Sequence, residues 1–87
     1  MRNGLIVGYG GDKFWYKDDL LHREDGPAIE FAIGRSKWWY KHGRIHREDG
    51  PAIEGSDGIN SWYYHGKYIK CRNQQEFERI IKLKVFW

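Results

Sequence analysis

The sequence is short of the residues that build disulfides, metal cages and membrane spans. Among its 87 residues there is one cysteine, Cys71, which excludes an intramolecular disulfide and a four-cysteine metal site and suits a reducing compartment. Near the N-terminus only Leu5, Ile6 and Val7 form an apolar run, which is too short for a signal-peptide core or a membrane span. We therefore expect a cytoplasmic protein without a membrane segment.

Motifs of the common enzyme classes are also missing, because the sequence has no Walker phosphate loop, no GxSxG turn and no CxxC pair. Its charge is nearly balanced, with 15 Lys and Arg against 12 Asp and Glu, and the net charge of +3 is a mild bias toward anionic partners. We expect a protein that is not an enzyme and that binds no cofactor and no metal ion.

A repeated unit is the most informative feature that is present. Residues 15–30 read WYKDDLLHREDGPAIE, and residues 39–54 read WYKHGRIHREDGPAIE. A third, degenerate copy opens at Trp62 as WYYHGKYIK and lacks the HREDGPA half. A short unit of this kind cannot bury its own apolar face, so we expect each copy to stack on its neighbour.

Each unit carries the signals of two chain reversals. The first is a two-residue turn, in which glycine supplies a positive φ in the second and third units. The second is HREDGP, whose proline cannot donate to a sheet. These signals predict a mainly β fold, a single antiparallel sheet of about six short strands in a meander of hairpin repeats. The units are about 12–35, 36–58 and 59–70, within one domain of residues 1–87. The two-residue turns are Asp18-Asp19, His42-Gly43 and His65-Gly66.

The last part of the chain changes to a helical pattern. Asn73 is followed three positions later by Glu76, as in a capping box. We predict a helix over about 74–84 that packs its apolar stripe on the end of the sheet as a cap. Lys84 adds its stem to that stripe, and residues 85–87 either complete the packing or stay exposed. The apolar stripe consists of Phe77, Ile80 and Ile81.

Side chains alternate between the two faces of a strand, which divides the aromatic residues into two sets. One face is expected to be mainly aromatic core. The other face carries a row of tryptophans at positions 15, 39 and 62 with lysines beside them. The tryptophan row either packs beneath the lysine stems or forms a binding surface. The core set consists of Phe14, Tyr16, Trp38, Tyr40 and Tyr63.

A binding surface of flat rings interleaved with cations would stack nucleic-acid bases and contact phosphates. That hypothesis predicts a salt-sensitive affinity for single-stranded RNA or DNA. The candidate residues for binding a nucleic acid or a protein partner are Lys37, Trp39, Lys41, Arg44, Lys67, Lys70 and Arg72.

The HREDGPA string invites a metal or acid–base interpretation through its histidine and aspartate. Equivalent residues of neighbouring repeats are separated by two strand spacings, roughly 10 Å, which is too far to share one ion. The structural alternative is that the arginine donates forked hydrogen bonds to carboxylates or carbonyls while the aspartate caps turn amides. The residues of this structural turn motif are His22, Arg23, Asp25, Gly26, His46, Arg47, Asp49 and Gly50.

The unit W-Y-x-x-G-x-x-H-R-E-D-G-P-A resembles the MORN-like repeat of small proteins from tailed phages and large DNA viruses. The resemblance covers residues 15–69 and extends to the helix that opens at Asn73, although Asp18-Asp19 replaces the glycine-containing turn in the first unit. It implies a β-hairpin array of viral origin, with no catalytic residues to transfer. A phage inhibitor of a toxin–antitoxin endoribonuclease is similar in size and in basic, aromatic character.

Three hypotheses for function follow. The first is a non-enzymatic phage-type accessory protein that binds and inhibits a host defence nuclease or toxin, with RNA bound on a basic aromatic surface. The alternative is a structural or self-assembly module without nucleic-acid contact, in which strand edges at the N-terminal end pair with another copy. The third is a small hydrolase that uses His22 and His46 with the neighbouring acids.

Overall fold

A computed structural model of the protein describes residues 1–83 and contains ten short strands and one helix. The strands are β1 (Gly4–Val7), β2 (Lys13–Lys17), β3 (Leu20–Leu21), β4 (Ile29–Glu30), β5 (Lys37–Trp38), β6 (Tyr40–Lys41), β7 (Arg44–Ile45), β8 (Ile53–Glu54), β9 (Asn60–Tyr64) and β10 (Lys67–Ile69), and the helix is α1 (Gln74–Ile81).

The strands form one large antiparallel sheet and one small ribbon. The large sheet has the order β1-β2-β4-β5-β8-β9-β10, with β3 paired to the second half of β2, while β6 and β7 pair with each other. The mainly β antiparallel class with a C-terminal helix is confirmed. The prediction of a single sheet of about six strands is wrong, since the described residues form ten strands, two of them outside the large sheet.

The extra strands arise because each repeat changes its pairing partner at its tryptophan. The backbone N–H of Trp15 donates to the carbonyl of Ala28 at 2.8 Å, and the carbonyl of Trp15 accepts from His22 at 2.9 Å. Trp39 makes the same two bonds with Ala52 and His46, at 2.8 and 3.0 Å. A stretch that reads as one strand in the sequence therefore pairs first with one neighbour and then with another.

The two-residue reversals occur where the sequence predicts them, in all three units. Both turn residues have positive φ: 51° and 67° at Asp18 and Asp19, 51° and 80° at His42 and Gly43, and 50° and 82° at His65 and Gly66. Two consecutive residues with positive φ define the type I′ turn, which matches the right-handed twist of a hairpin. Asp19 thus adopts the conformation that glycine supplies in the other two units.

Neighbouring units stack through these turns, as the repeat predicts. The N–H of Gly43 donates to the carbonyl of Leu21 at 2.9 Å, and the N–H of Gly66 donates to Ile45 at 2.8 Å. Each hairpin therefore satisfies a backbone carbonyl of the hairpin before it, which joins the units into one array.

The helix α1 closes the C-terminal end of this array. Its cap is the predicted one, because the side chain of Asn73 accepts from the N–H of Glu76 at 2.9 Å. Phe77 is fully buried, and Ile80 and Ile81 pack beside it against the sheet. The helix begins at Gln74 as predicted, but it ends at Ile81, before the predicted end near 84, because residues 82 and 83 form a turn. The predicted contributions of Lys84 and residues 85–87 lie outside the described residues.

The prediction of which face forms the core is wrong. The buried cluster under α1 contains Trp62 and Tyr64 together with Ile69, so it lies on the tryptophan face. On the face expected to be core, Ile29 is buried, but Phe14 and Trp38 are only half-buried. Because the sheet is one layer thick, the buried face is decided by where the helix packs. Within residues 1–83, no helix is long and apolar enough to cross a bilayer.

Candidate interaction surface

The HREDGPA loop of the first unit is organised around an arginine that covers a tryptophan ring. The guanidinium carbon of Arg23 lies 3.8 Å from the ring centroid of Trp15. Its Nε donates to Asp25 at 3.0 Å, and its Nη1 donates to the carbonyl of Pro27 at 3.1 Å and to Glu30 at 3.0 Å. We call this arrangement the Trp–Arg clasp.

The second unit repeats the clasp contact for contact. The Arg47 guanidinium carbon lies 3.7 Å from the Trp39 ring centroid, and its nitrogens donate to Asp49, Pro51 and Glu54 at 2.9, 3.1 and 2.7 Å. The hydrogen bond from Arg47 lowers the pKa of Asp49 below its usual value. The predicted forked hydrogen bonds from the two arginines are therefore present in both copies.

Glycine in this loop makes room for the arginine. A Cβ on Gly26 would lie 3.0 Å from Cζ of Arg23, and a Cβ on Gly50 would lie 2.7 Å from Cζ of Arg47. The predicted turn at Asp25-Gly26 is a bend in which the described residues form no backbone–backbone hydrogen bond. The side chain of the arginine, rather than a turn bond, holds the reversal closed.

The histidine of each loop links its unit to the next one. His22 is 5% exposed, its Nδ1 accepts from the backbone N–H of His42 at 2.9 Å, and its Nε2 lies 2.6 Å from Glu24. An acceptor at Nδ1 requires that this nitrogen carry no proton, so the neutral ring directs its Nε2–H to the carboxylate.

His46 makes the same link between the second and third units. It is 5% exposed, its Nδ1 accepts from the N–H of His65 at 2.8 Å, and its Nε2 lies 3.3 Å from Glu48. Burial lowers the pKa of His46, and the hydrogen bond to Glu48 opposes that shift. The buried histidines are thus structural links, and within residues 1–83 no group of three or more potential ligands is arranged to hold a metal ion.

A groove of about 500 Å³ separates the two HREDGPA loops, with Trp39 and Lys41 among its lining residues. Its carboxylates already have partners, since Glu24 accepts from Lys41 at 3.0 Å and Asp49 accepts from Arg47 at 2.9 Å. The groove is therefore a charge-compensated seam between repeats.

The predicted basic surface does not form as one continuous patch. One face of the Trp39 ring is covered by Arg47, and Arg72 bonds Glu76 through two side-chain nitrogens at 3.1 and 3.0 Å. Strand alternation places Lys70 on the face opposite the other strand cations. The exposed members of the predicted set other than Arg72 are Lys37, Arg44, Lys67 and Lys70.

The cations on the tryptophan face alternate with carboxylates. Across adjacent strands the register aligns Lys13 with Glu30, Glu30 with Lys37, Lys37 with Glu54, and Glu54 with Asn60. Opposite charges in cross-strand positions stabilise a sheet and cancel each other's field at a distance. Lys37 therefore stands between two glutamates rather than in a positive stripe.

The opposite face carries a set of aromatic side chains, which we call the aromatic face. The register aligns Phe14 with Ile29, Ile29 with Trp38, and Tyr63 with Tyr68, so these side chains point the same way. Phe31 and Trp38 pack edge to face with ring centroids 5.7 Å apart, and Tyr63 and Tyr68 do so with centroids 5.4 Å apart. The aromatic face consists of Phe14, Tyr16, Phe31, Trp38, Tyr40, Tyr63 and Tyr68.

None of these seven rings is fully buried. Six are half-buried, and Tyr68 is 57% exposed. Partial burial and the neighbouring Tyr63 raise the pKa of Tyr40, while the guanidinium of Arg2 lies 4.2 Å from the Tyr16 ring centroid. Because α1 packs on the other face, the described residues leave this aromatic set without a covering layer. The sequence divides the rings into two sets but does not indicate which set stays open.

Comparison of the chain with protein-family models, with curated proteins and with solved structures finds no significant match. The resemblance to small phage and viral repeat proteins stays a prediction, and function is argued from the geometry.

Proposed function

We propose that the protein is a non-enzymatic binding protein that places its aromatic face against a partner protein and inhibits that partner by covering its surface. The observation that carries the proposal is the set of seven rings, none fully buried, on the face that α1 leaves open. Tyrosine and tryptophan are enriched at the energetic centres of protein interfaces because they bury a large area with few rotatable bonds.

The partner class comes from the resemblance of the repeat to those of small phage proteins. We propose a nuclease or toxin of the host's defence, bound in the host cytoplasm by direct contact. The sheet suits occlusion, since its backbone is held by hydrogen bonds between units and little order has to be acquired on binding.

RNA is a second candidate ligand of the same protein. Its support is the set of exposed cations, of which Lys70 lies next to Tyr68 of the aromatic face. Base stacking requires an open ring, and Tyr68 is more open than Trp39, whose ring carries Arg47. An RNA site would therefore be centred on Tyr68 and Lys70.

The test is affinity capture from a bacterial lysate, with and without nuclease treatment, using two matched variants. Tyr68→Asp changes an aromatic-face residue that is 57% exposed, and Leu20→Asp changes a residue that is 49% exposed and lies on the tryptophan face. We expect wild type and Leu20→Asp to capture the same protein, and Tyr68→Asp to weaken its binding by roughly tenfold or more.

Each result has a defined meaning once thermal melting has shown that both variants are folded. Equal capture by Tyr68→Asp and Leu20→Asp would remove the aromatic face as the binding site. Failure of wild type to retain any protein would remove the binding function itself. If nuclease treatment abolishes capture and Lys70→Glu weakens it in low salt, RNA is the primary ligand.

A further inference from the structure

Among the described residues, the first strand of the sheet has one hydrogen-bonding edge that no other strand occupies. Leu5 faces Trp15 in the β1–β2 register, and Trp15 directs its N–H and carbonyl to Ala28 and His22, away from β1. In an antiparallel pair this makes Leu5, and Val7 two residues on, direct their own N–H and carbonyl groups away from β2. No strand of residues 1–83 lies on that side.

Nothing in the segment from Leu5 to Val7 protects this edge from pairing. The strand has no charged residue and no proline, and Leu5, Ile6 and Val7 are 49, 39 and 57% exposed. Natural edge strands usually carry lysines, prolines or bulges that prevent association. The opposite edge, β10, contains Lys67, and its Ile69 is buried against α1.

The exposed apolar side chains around β1 continue beyond the strand. Tyr9 is fully exposed, and Met1 is 92% exposed. A repeat array requires a cap at each end because its terminal units would otherwise leave an apolar surface in water. α1 supplies the cap at one end, and residues 1–83 contain no comparable element over β1.

We propose that the cap of this end is a second copy of the protein, paired through β1. The copies are related by a two-fold axis perpendicular to the sheet, with Leu5 opposite Val7 of the second copy and Ile6 opposite Ile6 of the second copy. In this register the outward groups of Leu5 and Val7 meet as two hydrogen-bonded pairs, and each pair exchanges two backbone bonds. A second copy fits because the strand is uncharged and complementary to itself, as a two-fold interface requires.

The pairing extends the aromatic face. Ile6 is aligned with Phe14 and therefore belongs to that face. A two-fold axis perpendicular to the sheet keeps equivalent faces on the same side, so the dimer presents two aromatic faces as one surface. This inference goes beyond the proposed binding function, which a monomer could also perform.

Sedimentation velocity over about 1 μM to 1 mM measures the pairing. We expect the wild-type mass to rise from 10.4 kDa toward twice that value. The double variant Leu5→Lys, Val7→Lys should stay monomeric, because it opposes like charges across the pair. The matched control Ile33→Lys, Ile59→Lys changes residues that are 89 and 66% exposed elsewhere, and it should dimerise like wild type.

A charge-swap mixture separates lost pairing from lost folding. The variant Leu5→Glu, Val7→Glu should also be monomeric alone, and an equal mixture with the lysine variant should recover the dimer mass. A wild-type protein that stays monomeric up to 1 mM overturns the proposal and leaves the aromatic-face binding experiment unaffected. A lysine variant that dimerises like wild type overturns it too.

The register has its own test. Directly opposed residues in a non-hydrogen-bonded antiparallel pair have Cα atoms about 4.5 Å apart, which is within reach of a disulfide. In a Cys71→Ser background, Ile6→Cys should therefore give a covalent dimer on mild oxidation, and Ile33→Cys should not. Equal cross-linking at both positions, or at neither, contradicts the proposed pairing.

Discussion

The ring of Trp62 in the third unit is covered in a different way from the rings of Trp15 and Trp39 in the first two units. Trp15 and Trp39 lie under arginines from their own HREDGPA loops, with guanidinium carbons 3.8 and 3.7 Å from the ring centroids. Trp62 has no such loop, and it is 9% exposed because it packs under α1. Its Nε1 donates to Gln74 at 2.7 Å. The loop and the helix therefore perform the same structural task.

This comparison explains why the third unit can lack the HREDGPA half. Gln74 also donates from Nε2 to the carbonyl of Glu48, so the helix contacts the second loop directly. The two solutions differ in their physics. The clasps depend on hydrogen bonds and charges, whereas the helix depends on apolar burial around Phe77. Substitutions and pH should therefore affect the two ends differently.

The largest effect should come from the apolar end. Phe77 is fully buried, so Phe77→Ala should lower the free energy of unfolding by about 3–5 kcal/mol through lost transfer energy and a cavity. Chemical denaturation followed by tryptophan fluorescence measures it. Leu83→Ala, at a residue that is 58% exposed, is the control and should change stability by less than about 0.5 kcal/mol. A loss below about 1 kcal/mol for Phe77→Ala would show that the packing of α1 on the sheet is not the main apolar contribution to stability.

Breaking a clasp should cost less than breaking the helix core. Arg47→Ala removes three hydrogen bonds and the ring contact of a side chain that is 18% exposed, and we expect a loss of about 2–3 kcal/mol. Arg47→Lys should lose more than half as much, because an ammonium cannot reproduce the planar fork.

Two controls sharpen this measurement. Arg23→Ala removes the equivalent clasp, so its loss should match that of Arg47→Ala within about 1 kcal/mol. Arg44→Ala changes an exposed arginine and should have little effect. If Arg47→Ala and Arg44→Ala prove equivalent, the clasp does not stabilise the second unit.

Acid should weaken the link between the second and third units. Burial lowers the pKa of His46, so between its folded pKa and the ordinary value of 6.5 the unfolded chain binds more protons than the folded one. The stabilisation from neutral His46 is complete above pH 6.5 and is lost as the pH falls below it. Denaturation at pH 7.5 and pH 5 measures the change, which His46→Gln should reduce.

The carboxylates do not obscure that measurement. Asp19, Glu24, Asp49 and Glu76 have pKa values lowered from ordinary values of 3.8 or 4.5 by partners that include Arg2, Lys41, Arg47 and Arg72. Their contributions are therefore present above pH 5 and are lost only in more acidic solution. If stability is unchanged from pH 7.5 to pH 5 in wild type, His46 does not couple the units through its neutral ring.

The sequence predicts the features that depend on local chemistry. A few neighbouring residues are enough to specify the turns at His42-Gly43 and His65-Gly66, the helix cap at Asn73 and the apolar helix stripe that contains Phe77. All of these features are present. The repeat itself predicts the stacking of units, because identical surfaces recur at a fixed interval.

The features that were not predicted depend on contacts between distant residues. Alternation assigns Trp38 and Trp39 to opposite faces, but the position of α1 decides which face is buried. The hydrogen bonds of Arg47 to carboxylates were predicted, but its contact with the Trp39 ring was not, because it depends on how the loop folds back over the strand. The cancellation of Lys37 by Glu30 and Glu54 depends on strand register, which a sequence of short strands leaves open.

The smallest expected effect compares the hairpin turns. Gly66 has φ of +82°, and a Cβ there would approach Arg44 no closer than 3.8 Å, so Gly66→Ala tests the backbone conformation alone. We expect a loss of about 1 kcal/mol, the usual cost of a left-handed conformation for alanine. Gly10→Ala is the control, because its Cβ would meet nothing within 4 Å and its φ is not positive. Asp19 holds the same conformation in the first unit, where its Oδ1 is 2.6 Å from Nε of Arg2. A neutral Gly66→Ala would mean that the third turn tolerates a side chain as the first turn does.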